Sequence, residues 1–144
     1  MESLQRIGVS LEKGLLEPFD RLIDRQGYAS RSEALRDLIR ERLTEEELAD
    51  PDTPAVAAVV MVYDHHQARL AQKLTELQHE HHLHTVSSMH VHIDHHNCLE
   101  VVLLRGRVGQ IGRLGERIVS LKGVTLGKVH LVATGTVGKN DHGT

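Results

Sequence analysis

The sequence predicts an α+β protein in two parts, a short β-α-α unit followed by a β-α-β-β-α-β unit. Three observations carry this. Alternating and helical apolar periods succeed one another in that order along the chain. The stretch EEELADPDTP, residues 45–54, holds two of the three prolines and a run of acids, which interrupts regular structure. Apolar residues make up 40% of 144, enough to bury one large core or two small ones. The expected division is residues 1–48, a linker at 49–54, residues 55–136 and a flexible tail at 137–144.

In the first unit, Ile7, Val9 and Leu11 alternate with Arg6, Gly8 and Ser10, as in a strand over residues 6–11. Leu15, Leu16, Phe19, Leu22 and Ile23 then repeat at helical spacing, and Gly27 is a good stop. Ser30 and Glu33 form a capping box for a second helix, striped by Ala34, Leu35, Leu38, Ile39 and Leu43. One short strand needs a partner for its backbone hydrogen bonds. Two copies of the unit would pair their strands into a ribbon over four helices, with Arg6, Gly8 and Ser10 facing out.

In the second unit, strands are expected at 55–63, 86–93, 98–105 and 127–134. Helices are expected at 65–79 and 108–122. That order is the ferredoxin-like split βαβ, with both helices on one face of the sheet. Gly106, Gly109, Gly112 and Gly115 recur every third residue, which weakens the second helix and points to close packing.

Composition removes several classes. The longest strictly apolar run, residues 55–62, is too short to span a bilayer, so no membrane association is expected. The start, MESLQRIGVS, has no apolar stretch behind a basic one, so no signal peptide is expected. The single cysteine, Cys98, excludes an intramolecular disulfide framework and suits a reducing cytoplasm. A net charge of −3 and three aromatic residues argue against bulk polyanion binding and against a base-stacking platform. The outlier is histidine: ten of twelve lie between His65 and His96.

The stretch HVHIDHHNCLE, residues 90–100, carries the strongest chemistry. In a strand, His90 and His92 share a face. The turn at 94–97 brings Cys98 and Glu100 alongside on the next strand. The aliphatic face (Met89, Val91, Ile93, Leu99, Val101, Leu103) is expected to meet the helices, leaving the histidine–cysteine face uncovered. Two imidazoles and a thiolate form a credible three-coordinate set. Glu100 would accept the second N–H of a ligating imidazole. A fourth ligand must come from elsewhere, and the end of the first core helix offers His79, His81, His82 and His84. Such donors exclude magnesium and calcium as the main occupant. Tetrahedral zinc and square-planar nickel or copper stay open. His65, His66, His95, His96, His130 and His142 read as solvated and idle.

The outward Arg6, Gly8 and Ser10, followed by GYASRSEALRD at 27–37, resemble a ribbon–helix–helix DNA-binding module. Joined to QHEHH at 78–82 and HVHIDHHNCLE, the chain resembles the NikR family of nickel-responsive transcriptional regulators over residues 5–135. The resemblance implies a ribbon–helix–helix dimer joined to an ACT-type, ferredoxin-like domain. It also implies a cytoplasmic homotetramer, with one nickel(II) per subunit in a square plane at the tetramer interface. The implied ligands are His90, His92 and Cys98 of one subunit and His79 of the facing one, backed by Gln78 and Glu100. Arg6, Gly8 and Ser10 match the base-reading positions, where the family often has a hydroxyl residue in place of Gly8. Glu33 and Asp37 match a secondary cation site.

These implications predict a nickel-dependent repressor of nickel uptake genes, binding a palindromic operator with separated half-sites. Residues 1–54 carry 8 basic and 13 acidic side chains, so affinity must rest on a few placed groups. Arg6 would bond guanine in the major groove, and the backbone amides around Arg31 and Ser32 would hold phosphate. The rivals are a zinc or copper sensor on the same scaffold, a metal-storage protein and a metallohydrolase. A hydrolase needs an open coordination position, and the chain has no HExxH motif.

Overall fold

The computed structural model describes residues 4–135. The expected tail at 137–144 lies outside the described residues. The chain divides between Arg42 and Leu43 into two compact units.

The first unit contains α1 (Lys13–Gln26) and the start of α2 (Arg31–Ala49). Gly27 ends α1 in the left-handed conformation (φ 75°), where a side chain would be strained, and the Tyr28 amide reaches back to the Ile23 carbonyl at 3.1 Å. Ser30 caps α2 by accepting the Glu33 amide at 3.2 Å. The Glu33 carboxylate accepts from the Ala29 amide (3.0 Å), one residue earlier than a capping box requires.

The expected strand at 6–11 is not formed in the single chain. The physical reason is that an isolated strand has no ladder to join. Ile7 is 77% exposed, Val9 55% and Leu43 55%, so the apolar stripes lie open as a paired-copy module requires.

The helical period runs beyond 48. Leu48 packs partly against the core of the second unit, and its burial carries α2 to Ala49, into the stretch expected as linker.

The second unit runs β1 (Pro54–Asp64), α3 (Ala68–Glu80), β2 (Thr85–His92), β3 (Asn97–Arg107), α4 (Val108–Val119) and β4 (Val124–Ala133). The sheet is antiparallel, ordered β2-β3-β1-β4, as the ferredoxin-like order demands. Both expected helices are shorter. A turn at His65–His66 delays α3, and the Ser120 cap ends α4 early.

The core lies between the sheet and the two helices. Ala57, Val59, Met61 and Tyr63 of β1 alternate inward, with Val102 and Leu104 of β3 beside them. Leu70, Leu74 and Leu77 of α3 and Ile111, Leu114 and Ile118 of α4 cover them. Close packing explains the glycine spacing at most of its positions. A methyl on Gly115 would lie 2.9 Å from Val129, and one on Gly109 3.0 Å from Pro51. Gly112 has ordinary room, 3.8 Å to Leu131.

The assignment of sheet faces is corrected. Cys98 and Glu100 share the face of Val102 and Leu104, so they lie on the helix-covered side and are buried. Leu99, Val101 and Leu103 lie on the open side. Register makes that open face one apolar surface, with Val91, Leu99, Val62 and Leu126 in one row and Met89, Val101 and Val60 in the next.

Candidate metal centre

The hairpin of β2 and β3 builds the centre. Asp94 ties its turn: one carboxylate oxygen accepts the amides of His96 (2.8 Å) and Asn97 (2.7 Å). The Asn97 side-chain amide also donates to the carboxylate, at 3.0 Å, and this bond first, then the two backbone amides, holds the Asp94 carboxyl down at about 2. The turn sets His92 opposite Cys98 and His90 opposite Glu100.

Cys98 Sγ lies 3.3 Å from His92 Nδ1, and the rings of His90 and His92 stand nearly perpendicular with centroids 5.0 Å apart. Donors about 2.3 Å (sulfur) and 2.1 Å (nitrogen) from a shared ion sit roughly 3.1 Å apart at a right angle and roughly 3.6 Å apart in a tetrahedron. The observed spacing falls between the two, so this pair fits a transition metal without choosing its geometry. Burial, then the nearby Glu100, pushes the Cys98 thiol above its ordinary range, so the thiol keeps its proton until a bound ion displaces it.

Behind the histidines, Glu100 is buried. Tyr63 donates its hydroxyl to Glu100 Oε2 at 2.6 Å, and Gln78 donates its amide to Oε1 at 3.4 Å. His90 Nδ1 lies 3.6 Å from Oε2 and 3.4 Å from the Tyr63 oxygen. The expected Glu100–imidazole bond is therefore longer than a hydrogen bond here. Tyr63 takes the closer place and its own hydroxyl is raised, first by burial and then by Glu100. Sequence reading missed Tyr63, because the unbroken apolar run at 55–62 before it does not say which face points inward.

His79 sits exposed in the last turn of α3, beside Gln78. Among the described residues, it is not one of those whose ligand atoms converge. Those are His65, His92 and Cys98 in one group, and Asp64, His65 and His66 in a second. His65, expected to be idle, belongs to both. The signal that could have found it is the register of β1 on β3, which pairs Tyr63 with Cys98 and Asp64 with Asn97 and so brings the next residue to the hairpin.

In the first unit, Arg6, Gly8 and Ser10 are exposed, in a segment outside any helix or strand. Arg31, at the start of α2, makes a two-pronged ion pair with Asp20, and Ser32 is exposed beside it. Glu33 is engaged as a cap and Asp37 bonds Arg40 at 3.0 Å. Neither belongs to the ligand groups found among the described residues.

A two-helix unit with its apolar stripes open, joined to a ferredoxin-like domain with a histidine–cysteine hairpin, has the layout of a metal-binding DNA-binding regulator. Residues 56–132 match the family described as NikR C terminal nickel binding domain, and residues 5–46 match the ribbon-helix-helix protein, copG family. A protein of Nitratidesulfovibrio vulgaris strain Miyazaki F is 51% identical over 130 residues, 90% of this chain and 94% of its own. One of Anaeromyxobacter sp. strain K is 52% identical over 128 residues, 88% of this chain and 92% of its own. One of Solibacter usitatus is 45% identical over 135 residues, 94% and 97% of the two chains. All three carry the name nickel-responsive regulator. The chain belongs to this family.

Proposed function

We propose that this protein is a nickel-responsive transcription regulator that represses nickel uptake genes when it holds Ni(II). The family is one of regulators rather than enzymes. The observation that carries the metal half is the Cys98–His92 pair at 3.3 Å, with His90 beside it and a buried Glu100–Tyr63–Gln78 network behind. Bound nickel supplies coordinate bonds to a thiolate and three imidazoles.

Cys98, His92 and His90 hold one side of that site, and His79 of the facing subunit completes it. Gln78 immediately precedes His79 and contacts Glu100 within the chain. That network fixes the end of α3 from which His79 projects. Recruiting His79 across a subunit boundary braces one dimer against the other, as a homotetramer requires. The switch is thermodynamic, since the ion shifts the equilibrium only by its preference for the braced arrangement.

On the DNA side, paired strands present Arg6, Gly8 and Ser10 to the major groove. The amides at the start of α2, around Arg31 and Ser32, receive phosphate. Two such ribbons on one tetramer read a palindromic operator with separated half-sites. Glu33 and Asp37 are retained only as a candidate secondary cation site.

Footprinting on candidate promoter DNA, with and without one Ni(II) per chain, tests this reading. Protection is expected only with nickel, and Cys98→Ala is expected to lose it. Equal protection by the wild type without metal overturns the proposal.

A further inference from the structure

A cavity of about 330 Å³ opens between the segment after α3 and one face of α4, lined by His81, His84, Gln110, Arg113, Leu114 and Arg117. No carboxylate lines it. Arg113 and Arg117 stand four residues apart on α4, so their like charges share a face and repel. Among the described residues, Arg113 makes no hydrogen bond or ion pair. Arg117 reaches only His81 Nε2, at a long 3.4 Å. The opposite side of the cavity is fixed to the sheet. The His84 carbonyl accepts the Arg105 amide at 2.7 Å, and His84 Nδ1 lies 3.2 Å from the Arg105 carbonyl. Gly106 leaves room for that ring, since a methyl there would lie 3.0 Å from His84 Nδ1 and 2.9 Å from Ile111. Two guanidinium groups thus face a concave space without a counter-charge, on a rigid frame.

We propose that this cavity binds a small oxyanion of the phosphoryl class. Arginine donates in a planar fork that matches phosphoryl oxygens, and its charge persists at any working pH. Gln110 adds a neutral amide donor one turn before Arg113. The volume lies at the small end of ligand sites, roughly 300–1,000 Å³, which suits a phosphoryl group with little attached. Duplex DNA offers the same chemistry on a convex rod, and a concave cavity fits a free anion better. A bound anion ties the α4 arginines to the segment of His81 and His84. His79 projects from the last turn of α3, just before that segment. The anion therefore steadies the element that offers His79 to a facing subunit, and so strengthens nickel binding. This coupling rests on the nickel-regulator reading, whereas the anion site does not. By linkage, nickel tightens the anion by the same factor.

The test uses full-length protein with inorganic phosphate and pyrophosphate as probes, at constant ionic strength. Calorimetric titration is expected to show one saturable site per chain. Arg113→Gln combined with Arg117→Gln is expected to weaken it at least tenfold, the loss that one charge-assisted hydrogen bond accounts for. Both arginines are exposed, so circular dichroism should stay that of the wild type. Hydrogen exchange across residues 81–85 is expected to slow with phosphate in the wild type only. Competition against a chelator is expected to show nickel held about fivefold or more tightly by the wild type than by the double variant at the same phosphate concentration, which controls for phosphate's own affinity for nickel. The site is overturned if binding does not saturate, or if the double variant binds as well as the wild type. It is also overturned if the double variant instead lowers the salt dependence of DNA binding, which would make these arginines duplex contacts. Saturable binding that leaves nickel affinity unmoved overturns the coupling. The regulator reading fails separately, if wild-type protein shows no nickel-dependent footprint.

Discussion

Asp20 holds Arg31 with both carboxylate oxygens, each 2.7 Å from a guanidinium nitrogen, across the gap between α1 and α2. Both side chains are partly exposed and screened by solvent, so the pair adds little to stability. Its larger effect is on charge, because it neutralises a cation at the helix start assigned to phosphate. Asp20→Ala is expected to strengthen DNA binding at low salt and to steepen the salt dependence by about one phosphate contact. Binding isotherms across salt concentrations measure this, and an unchanged slope refutes it.

The same pair predicts a pH dependence. The Arg31 guanidinium holds the Asp20 carboxyl below its ordinary range. A depressed acid contributes stability above its ordinary pKa and loses it as pH falls through the lowered value. The wild type should therefore exceed Asp20→Asn in Tm at neutral pH, and the two should converge in acid. Melting curves across pH check the convergence.

Tyr63→Phe removes the shorter of the two hydrogen bonds to the buried Glu100. An unsatisfied buried acceptor costs about 1–3 kcal/mol. Outer-shell losses typically weaken metal binding by roughly 10–100-fold. Denaturant titration and competition for nickel against a chelator should both move, and neither moving would make the network idle.

Element order and type in the second unit were legible from apolar period alone, because its strands and helices differ clearly in it. The buried side of the sheet was not. Helices cover one face and aliphatic side chains also line the other, so Val101 and Val102 look equally suited to a core. His65 was illegible for a different reason. Two adjacent histidines after a strand look solvated until the pairing of Tyr63 with Cys98 brings the turn to the hairpin. The strand at 6–11 is written in the alternation of Ile7 and Val9, but a single chain cannot form it.

Gly115 and Gly112 sit one turn apart on α4 with opposite surroundings. An added methyl at Gly115 meets both Val129 and Val59, at 2.9 and 3.2 Å. Overpacking of this kind costs about 1–3 kcal/mol. At Gly112 the same methyl finds 3.8 Å of room, so Ala should gain up to about 1 kcal/mol of helix propensity. Thermal unfolding of the two alanine variants should therefore shift Tm in opposite directions. Equal shifts would remove packing as the reason for the glycine spacing.

Leu126 lies 70% exposed on the open face of the sheet, in the row of Val62, Leu99 and Val91. An apolar surface running across all four strands is what a second copy would cover in the proposed tetramer. A carboxylate there leaves the single-chain fold alone, since Leu126 makes no part of the core cluster. It would carry a large desolvation cost once covered. Leu126→Asp is therefore expected to keep the wild-type circular dichroism spectrum while shifting sedimentation from tetramer to a smaller species. A variant that stays tetrameric at every concentration would place the subunit contact elsewhere.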